Sequence, residues 1–201
     1  MRTPEPYITP EEYLRRERAA ETRSEYYRGR IYAMSGGSPN HARLVLDLGA
    51  ALNAQVGRDC EAFITILRLK VLANGLYTYP DVFVQCGPAR YDDERRDTLL
   101  DATLIAEVLS PSTAAYDRGE KFALYRELES LRTYVLVSQD HPRVEVFERD
   151  GERWILHEVS GLDATLDLPT IGASIALREL YARVEWPENP PLRVVREEAL
   201  V

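Results

Sequence analysis

The chain has 201 residues, 45% of them hydrophobic and 29% charged, enough for one domain with a sizeable core. No apolar run approaches the ~20 residues of a membrane span, and the N-terminal MRTPEPYITPEEYLRRERAAE lacks the apolar stretch of a signal peptide, so a cytoplasmic protein without a membrane partner is expected. A net charge of −8 argues against non-specific coating of nucleic acid, and neither Cys60 and Cys86 nor the scattered His41, His141 and His157 have zinc-site spacing, which leaves two reduced thiols as the default.

The segment ITPEEYLRRERA predicts a helix, with Thr9 as N-cap, Pro10 in the first turn and Glu12 completing a capping box. SEYYRGRIYAMSGG predicts a hairpin turning at Arg28-Gly29. Ser38-Pro39 opens a longer helix to about Val56, in which Leu44, Leu48, Leu52 and Val56 form an apolar stripe. Residues 60–72 read as two short strands or one bent strand, and 78–85, TYPDVFVQ, as an alternating strand. The charged run ARYDDERRDTLLD at 89–101 predicts an exposed, mobile loop. Residues 103–109 are apolar on both faces apart from Thr103 and Glu107, the pattern of a central strand covered on both sides. Asp117 with Glu120 reads as a second capping box, opening a helix to about Leu128. TYVLVS, RVEVFER and RWILHEV follow as consecutive strands, then a short helix near Ala176–Tyr181. The order predicts an α/β or α+β fold with a mixed central β-sheet flanked by helices, one domain over 1–186 and an extended proline-rich tail over 187–201.

Three residues in this order can do chemistry together. Glu107 lies between Ile105-Ala106 and Val108-Leu109, where an ionised carboxylate costs several kcal/mol, roughly, unless it is paired or binds a metal. Asp81 follows Pro80 and shares a strand face with Phe83 and Gln85; if this strand pairs with 103–109, Asp81 and Glu107 converge. Lys121, one of only two lysines, shares a helix stripe with Leu124, Tyr125 and Leu128, so its ammonium points toward the sheet. Alternatives stand beside each: a strand-end glutamate, a loop aspartate, a lysine reaching back to water. Glu25, at the start of the hairpin, fits a third carboxylate or a solvated strand end. His41 reads as part of the helix cap rather than of the site. Lys70 shares a face with Arg68, which reads as a solvated or interface face.

The segments YRGRIYAMSGGSPNHARL, YPDVFVQCG, LIAEVLSPSTAAYDRGEKFALYR and TYVLVSQDHPRVEVFER resemble the Uma-two family of restriction-endonuclease-like proteins, within the PD-(D/E)XK nuclease superfamily. The resemblance runs from about Glu25 to Arg149, and EVLSPST…YDRGEK…YR is its most specific part. It implies a restriction-endonuclease-like fold, magnesium (or manganese) as cofactor and DNA as substrate. Asp81 matches the motif aspartate and Glu107 the motif glutamate. The superfamily lysine stands two positions after the glutamate, where this chain has Leu109; relatives of this type supply it from the following helix, at Lys121. Glu25 matches a glutamate of the first hairpin.

The function expected is therefore Mg²⁺-dependent endonucleolytic hydrolysis of DNA. Asp81, Glu107 and the Val108 carbonyl would be metal ligands, Lys121 would orient water, and Glu25 would hold a second ion or act as base. The acidic charge and the displaced lysine favour the alternative, an inactive nuclease-fold module for binding or dimerisation. A glycoside hydrolase using Asp81 and Glu107 leaves Lys121 unexplained. Homodimerisation through the tail is expected by analogy with nucleases that pair subunits.

Overall fold

The computed structural model describes residues 6–34 and 36–186. Helix α1 (Pro10–Glu17) starts where Thr9 accepts the Glu12 N–H at 3.3 Å. The hairpin β1 (Ser24–Tyr27) and β2 (Arg30–Ala33) turns at Arg28 and Gly29, both with positive φ (47° and 82°), as a tight two-residue hairpin requires. Helix α2 (Pro39–Gln55) is capped by Ser38, whose hydroxyl accepts the His41 N–H at 3.0 Å.

Strands β3 (Cys60–Ile64), β4 (Arg68–Val71), β5 (Leu76–Thr78), β6 (Val82–Cys86), β7 (Thr98–Leu99) and β8 (Leu104–Leu109) follow. A helical segment then runs through α3 (Ala114–Tyr116), a π-helical turn over Asp117–Lys121, and α4 (Phe122–Tyr125). Strands β9 (Thr133–Ser138), β10 (Arg143–Asp150) and β11 (Arg153–Ser160) lead to a hairpin of β12 (Thr165–Leu168) and β13 (Ala173–Ala176), and α5 (Leu177–Leu180) ends the described elements. The main sheet has the order β11-β10-β9-β8-β6-β3 and is mixed: β8 and β9 run parallel, the other pairs antiparallel. A second sheet has the order β2-β1-β5-β4-β7. This is the mixed α+β architecture the sequence predicts.

Period two along β8 divides the core. Ala106 and Val108 join Leu44, Leu48 and Leu52 of α2 on one face, and Ile105 and Leu109 join Leu69, Val71, Leu124 and Tyr125 on the other. Glu107 falls on the second face, between the sheet and the helical segment that carries Lys121. Leu48 and Leu52 are essentially inaccessible, each contributing about 1.5–3 kcal/mol by burial. Gly49 lets α2 approach β3: a Cβ there would stand 2.5 Å from Ile64 Cγ2.

Several expectations are corrected. Run 78–85 is not one strand; Thr78 ends β5 and β6 begins at Val82, so Pro80-Asp81 forms the crossing between the two sheets. The charged loop is exposed only in part: residues 94–96 face solvent, whereas Thr98 and Leu99 are buried in β7 and Asp92, Asp93 and Asp97 are clamped by distant cations. Arg18 binds Asp97 at 2.8 Å and Asp93 at 2.5 Å, Lys70 binds Asp92 at 2.6 Å, and Arg68 lies 3.1 Å from Asp97. The Arg68–Lys70 face is therefore not solvated; Arg68 is buried and also donates to Thr98 and Tyr79, both at 2.9 Å. Cys60 and Cys86 are cross-strand neighbours in β3 and β6, 4.0 Å apart at Cα, and are joined as a disulfide rather than left as two thiols. The β12–β13 hairpin has no counterpart in the sequence reading. No helix among the described residues is long and apolar enough to cross a membrane. The tail at 187–201, and with it the expected dimer contact, lies outside the described residues.

Candidate active site

The antiparallel register of β6 on β8, Val82↔Ala106 and Phe83↔Ile105, brings Asp81 opposite Glu107. The Asp81 N–H donates to Glu107 Oε2 at 3.3 Å, and the Val108 N–H donates to Asp81 Oδ2 at 2.8 Å. Glu107 is thus held by the backbone of Asp81, and Asp81 by that of Val108, the residue after Glu107. Lys121 comes from the opposite side, its Nζ 2.9 Å from Glu107 Oε1 and 3.6 Å from Glu25 Oε1. Tyr125 donates to the same Glu107 oxygen at 2.8 Å, and Thr78 donates to Glu25 at 2.5 Å. All four acidic and basic side chains singled out in the sequence, Glu25, Asp81, Glu107 and Lys121, line one cleft of about 170 Å³. A larger depression of about 460 Å³, at Arg126, Arg149 and Trp154, is shallow and lies apart from these carboxylates.

Two residues of the cleft were misread. Asp117 is not an N-cap: it sits inside the helical segment with α-region backbone angles, its side chain buried, its Oδ1 3.8 Å from Lys121. The D-x-x-E pattern of a capping box overlaps the i,i+4 spacing of Asp117 and Lys121, and that spacing is the signal that finds it. His41 is not the cap either. Ser38 caps, using the His41 N–H, and the imidazole Nε2 reaches Asp81 Oδ2 at 3.2 Å. Glu25, left open in the sequence, faces the cleft and not solvent.

The π-helical turn explains how a helix aims Asp117, Lys121 and Tyr125 at one spot. In an α-helix, residues four apart drift by about 40° per step; the wider turn over Asp117–Lys121 reduces that drift. Tyr134 of β9 anchors the turn by donating to the Asp117 carbonyl at 3.0 Å, and its ring stacks on Phe122 at 5.0 Å.

Three carboxyl groups, Glu25, Glu107 and Asp117, thus lie within 4 Å of one ammonium, and a fourth, Asp81, stands beside Glu107. Burial pushes Glu107 up to about 8; Lys121 opposes this, while Asp81 and Asp117 add to it. Burial also raises Asp117, against the pull of Lys121. Lys121 loses by burial, yet Glu107, Glu25 and Asp117 outweigh that and hold it well above an ordinary lysine, so it stays charged. His41 is likewise penalised by burial but raised on balance by Asp81. The cluster carries more acid than cation, and burial together with the neighbouring carboxylates favours the protonated form of Glu107.

Asp81, Glu107 and the Val108 carbonyl could supply hard oxygen donors of the kind magnesium takes. The excess of carboxyl over ammonium fits the addition of a divalent cation. Among the described residues no group of three or more His, Cys, Asp or Glu side chains is placed to hold a metal ion. That is compatible with magnesium, which keeps several of its waters.

The Uma2 family model, described as "Putative restriction endonuclease", matches residues 10–178. Two uncharacterized proteins of Synechocystis sp. (strain ATCC 27184 / PCC 6803 / Kazusa) are similar along most of their length. Sll1609 is 37% identical over 162 residues, covering 80% of this chain and 92% of that protein. Slr1290 is 38% identical over 181 residues, covering 89% and 93%. The fold matches a crystal structure from Anabaena variabilis ATCC 29413, described as "a putative nuclease belonging to DUF820", with a TM-score of 0.71, 20% identity, and coverage of 87% of this chain and 98% of that one.

Proposed function

The chain belongs to the Uma2 family of restriction-endonuclease-like proteins, and from that premise we propose that it is a Mg²⁺- or Mn²⁺-dependent nuclease hydrolysing DNA phosphodiester bonds. The observation that carries this reading is the meeting of Asp81, Glu107 and Lys121 in one cleft, from a strand start, a central strand and a helix.

Asp81, Glu107 and the Val108 carbonyl would hold the ion. When bound, such an ion polarises a phosphodiester and lowers the pKa of a coordinated water. The chain's own groups supply the rest. Lys121 keeps a full positive charge at the cleft floor, where charge develops on phosphoryl oxygens, and orients the attacking water. Tyr125 and the Asp81 N–H fix the two oxygens of Glu107. His41 and the Val108 N–H fix Asp81. Glu25 holds Lys121 from the hairpin side and is the candidate for a second ion or a base.

The test is cleavage of plasmid and oligonucleotide DNA with Mg²⁺ or Mn²⁺, alongside calorimetry of metal binding. Asp81→Asn and Glu107→Gln should each abolish both. Metal binding that survives both substitutions would move the ion elsewhere. One observation favours a second reading, a nuclease-fold binding module: Leu109 stands where the superfamily expects its lysine, and its side chain is buried. Absence of cleavage of single- and double-stranded DNA with either metal would favour that module.

A further inference from the structure

The hairpin that brings Glu25 to the cleft also presents a row of side chains that the reaction does not use. The register pairs Glu25 with Tyr32 and Tyr27 with Arg30. Residues directly opposite on antiparallel strands share a face, so Tyr32 and Arg30 lie on the Glu25 face. The Met34 N–H bonds to the Arg23 carbonyl at 3.4 Å, which carries the pairing one step further and adds Met34 to the row. Met34 itself lines the cleft. The opposite face of the hairpin is occupied, because Tyr26 and Ile31 pack with Tyr13 of α1.

The row is open to solvent: Tyr32 is 47% and Met34 37% accessible, and Arg30 is exposed. β2 is the outer strand of its sheet, and among the described residues no neighbouring strand covers it. Tyr116, 37% accessible, stands on another wall of the same cleft, close enough to Glu25 for that carboxylate, after burial, to help push its phenol up to about 12. A cation, an aromatic ring and a thioether therefore run in period two toward the carboxylates, with a second aromatic ring in the cleft.

Resting on the nuclease reading of this cleft, we propose that its substrate is a single-stranded or locally unpaired stretch of nucleic acid, whose bases stack on Tyr32 and Tyr116 while Arg30 meets a phosphate. Charge and geometry support this over an intact duplex. A duplex-binding protein typically neutralises about 6–10 phosphates, and here the chain is acidic overall, with Arg118, next to Asp117, tied to Glu145 at 2.7 Å. Stacking contributes about 1–3 kcal/mol per base in addition to phosphate contacts, and it requires the base to be unpaired. The carboxylates lie at the floor of a narrow cleft, Glu107 only 3% accessible, which a flexible strand can enter.

The test is fluorescence anisotropy with the full chain in EDTA, so that nothing is cleaved. The probes are a fluorescein-labelled mixed-sequence DNA strand, alone and annealed to its complement. The single strand should bind at least about tenfold more tightly than the duplex. Tyr32→Ala should weaken the single strand about tenfold, a typical loss for one stacked base, and Tyr32→Phe should restore it. Thermal melting checks that the exposed substitution leaves the fold intact. Equal binding by Tyr32→Ala, tighter binding of duplex, or no binding of either probe by the wild type overturns the proposal. So does a change of oligomeric mass in Tyr32→Ala without a change in DNA binding, which would assign the edge strand to a second copy of the chain. Cleavage of duplex DNA unaffected by Tyr32→Ala sinks the stacking row and leaves the nuclease reading standing. Binding through Tyr32 without cleavage in Mg²⁺ or Mn²⁺ keeps the row and sinks the nuclease reading.

Discussion

Two clusters of charge flank the second, smaller sheet, a partly exposed clamp and a buried cleft between that sheet and β8 of the main one, and they are built on opposite terms. In the clamp, Arg18, Arg68 and Lys70 meet Asp92, Asp93 and Asp97 nearly one to one. Hydrogen bonds from Arg18 hold Asp97, and Asp93 with it, below the usual carboxylate range. In the cleft, Glu25, Asp81, Glu107 and Asp117 share Lys121 and His41, and burial lifts Glu107 and Asp117 above that range. The clamp has its charges satisfied and holds a loop to the sheet. The cleft keeps acid in excess. A cluster whose charge is balanced stabilises a fold; one left unbalanced has something to gain from a ligand.

The comparison breaks most visibly at Lys121. Lys121→Ala should lower metal-dependent cleavage by about a hundredfold, the scale of one positioned charge at a phosphoryl transition state. It should also cost about 3 kcal/mol of stability by leaving carboxylates unpaired; single-turnover assays beside chemical denaturation separate the two effects. Arg68→Ala should cost a similar ~3 kcal/mol, because Asp97, Thr98 and Tyr79 lose a buried partner, yet leave metal affinity unchanged by calorimetry. Lys70→Ala should cost less, roughly 1–2 kcal/mol, because Asp92 is partly buried but keeps the hydrogen bond from the Tyr77 hydroxyl, with cleavage retained.

Acidity sharpens the contrast. Glu107 is raised in the folded state, so its contribution is present below the ordinary glutamate pKa of about 4.3 and is lost as pH rises toward about 8. Asp97 is depressed, so its contribution is present above about 3.9 and is lost as pH falls through the acid range. Metal-free protein should therefore lose stability from both directions. Glu107→Gln should flatten only the limb of melting temperature against pH between about 4.3 and about 8. Mg²⁺ should raise the melting temperature more at pH 8 than at pH 5, because the cation competes with the proton held by the cleft. An equal rise at both would break the assignment of Glu107 as a ligand.

Much of the cleft was legible because its residues stand against their surroundings. Glu107 interrupts an apolar strand, and Lys121 keeps step with Leu124, Tyr125 and Leu128. Asp117 and His41 were obscured by stronger local patterns, a capping box and a Ser-Pro helix start, which say where a backbone begins and not where a ring or carboxylate points. The clamp was illegible for another reason. Arg18 and Asp97 are 79 residues apart, and a run such as YDDERRD looks solvated unless its distant partners are known. The main sheet followed from alternation and turn residues; its strand order came from pairing, which no local window contains.

The π-helical turn that aims Lys121 also determines how that lysine can leave. A π turn interrupts the i→i+4 bonding of the α-helix around it, and this one lies across from β8, every residue of which is buried. The easiest local opening near the cleft is therefore in the backbone beneath Lys121, and it can occur without disturbing the carboxylates on the sheet. Amide hydrogen exchange should report this as faster exchange over Asp117–Lys121 than over Leu104–Leu109. Gly119 sits in the turn with ordinary φ and open space where a Cβ would go. Gly119→Ala should slow that exchange by about three- to fivefold, the equivalent of roughly 0.5–1 kcal/mol of backbone entropy. The residence time of the ammonium in the cleft is then set by one helical turn, independently of the stability of the sheet.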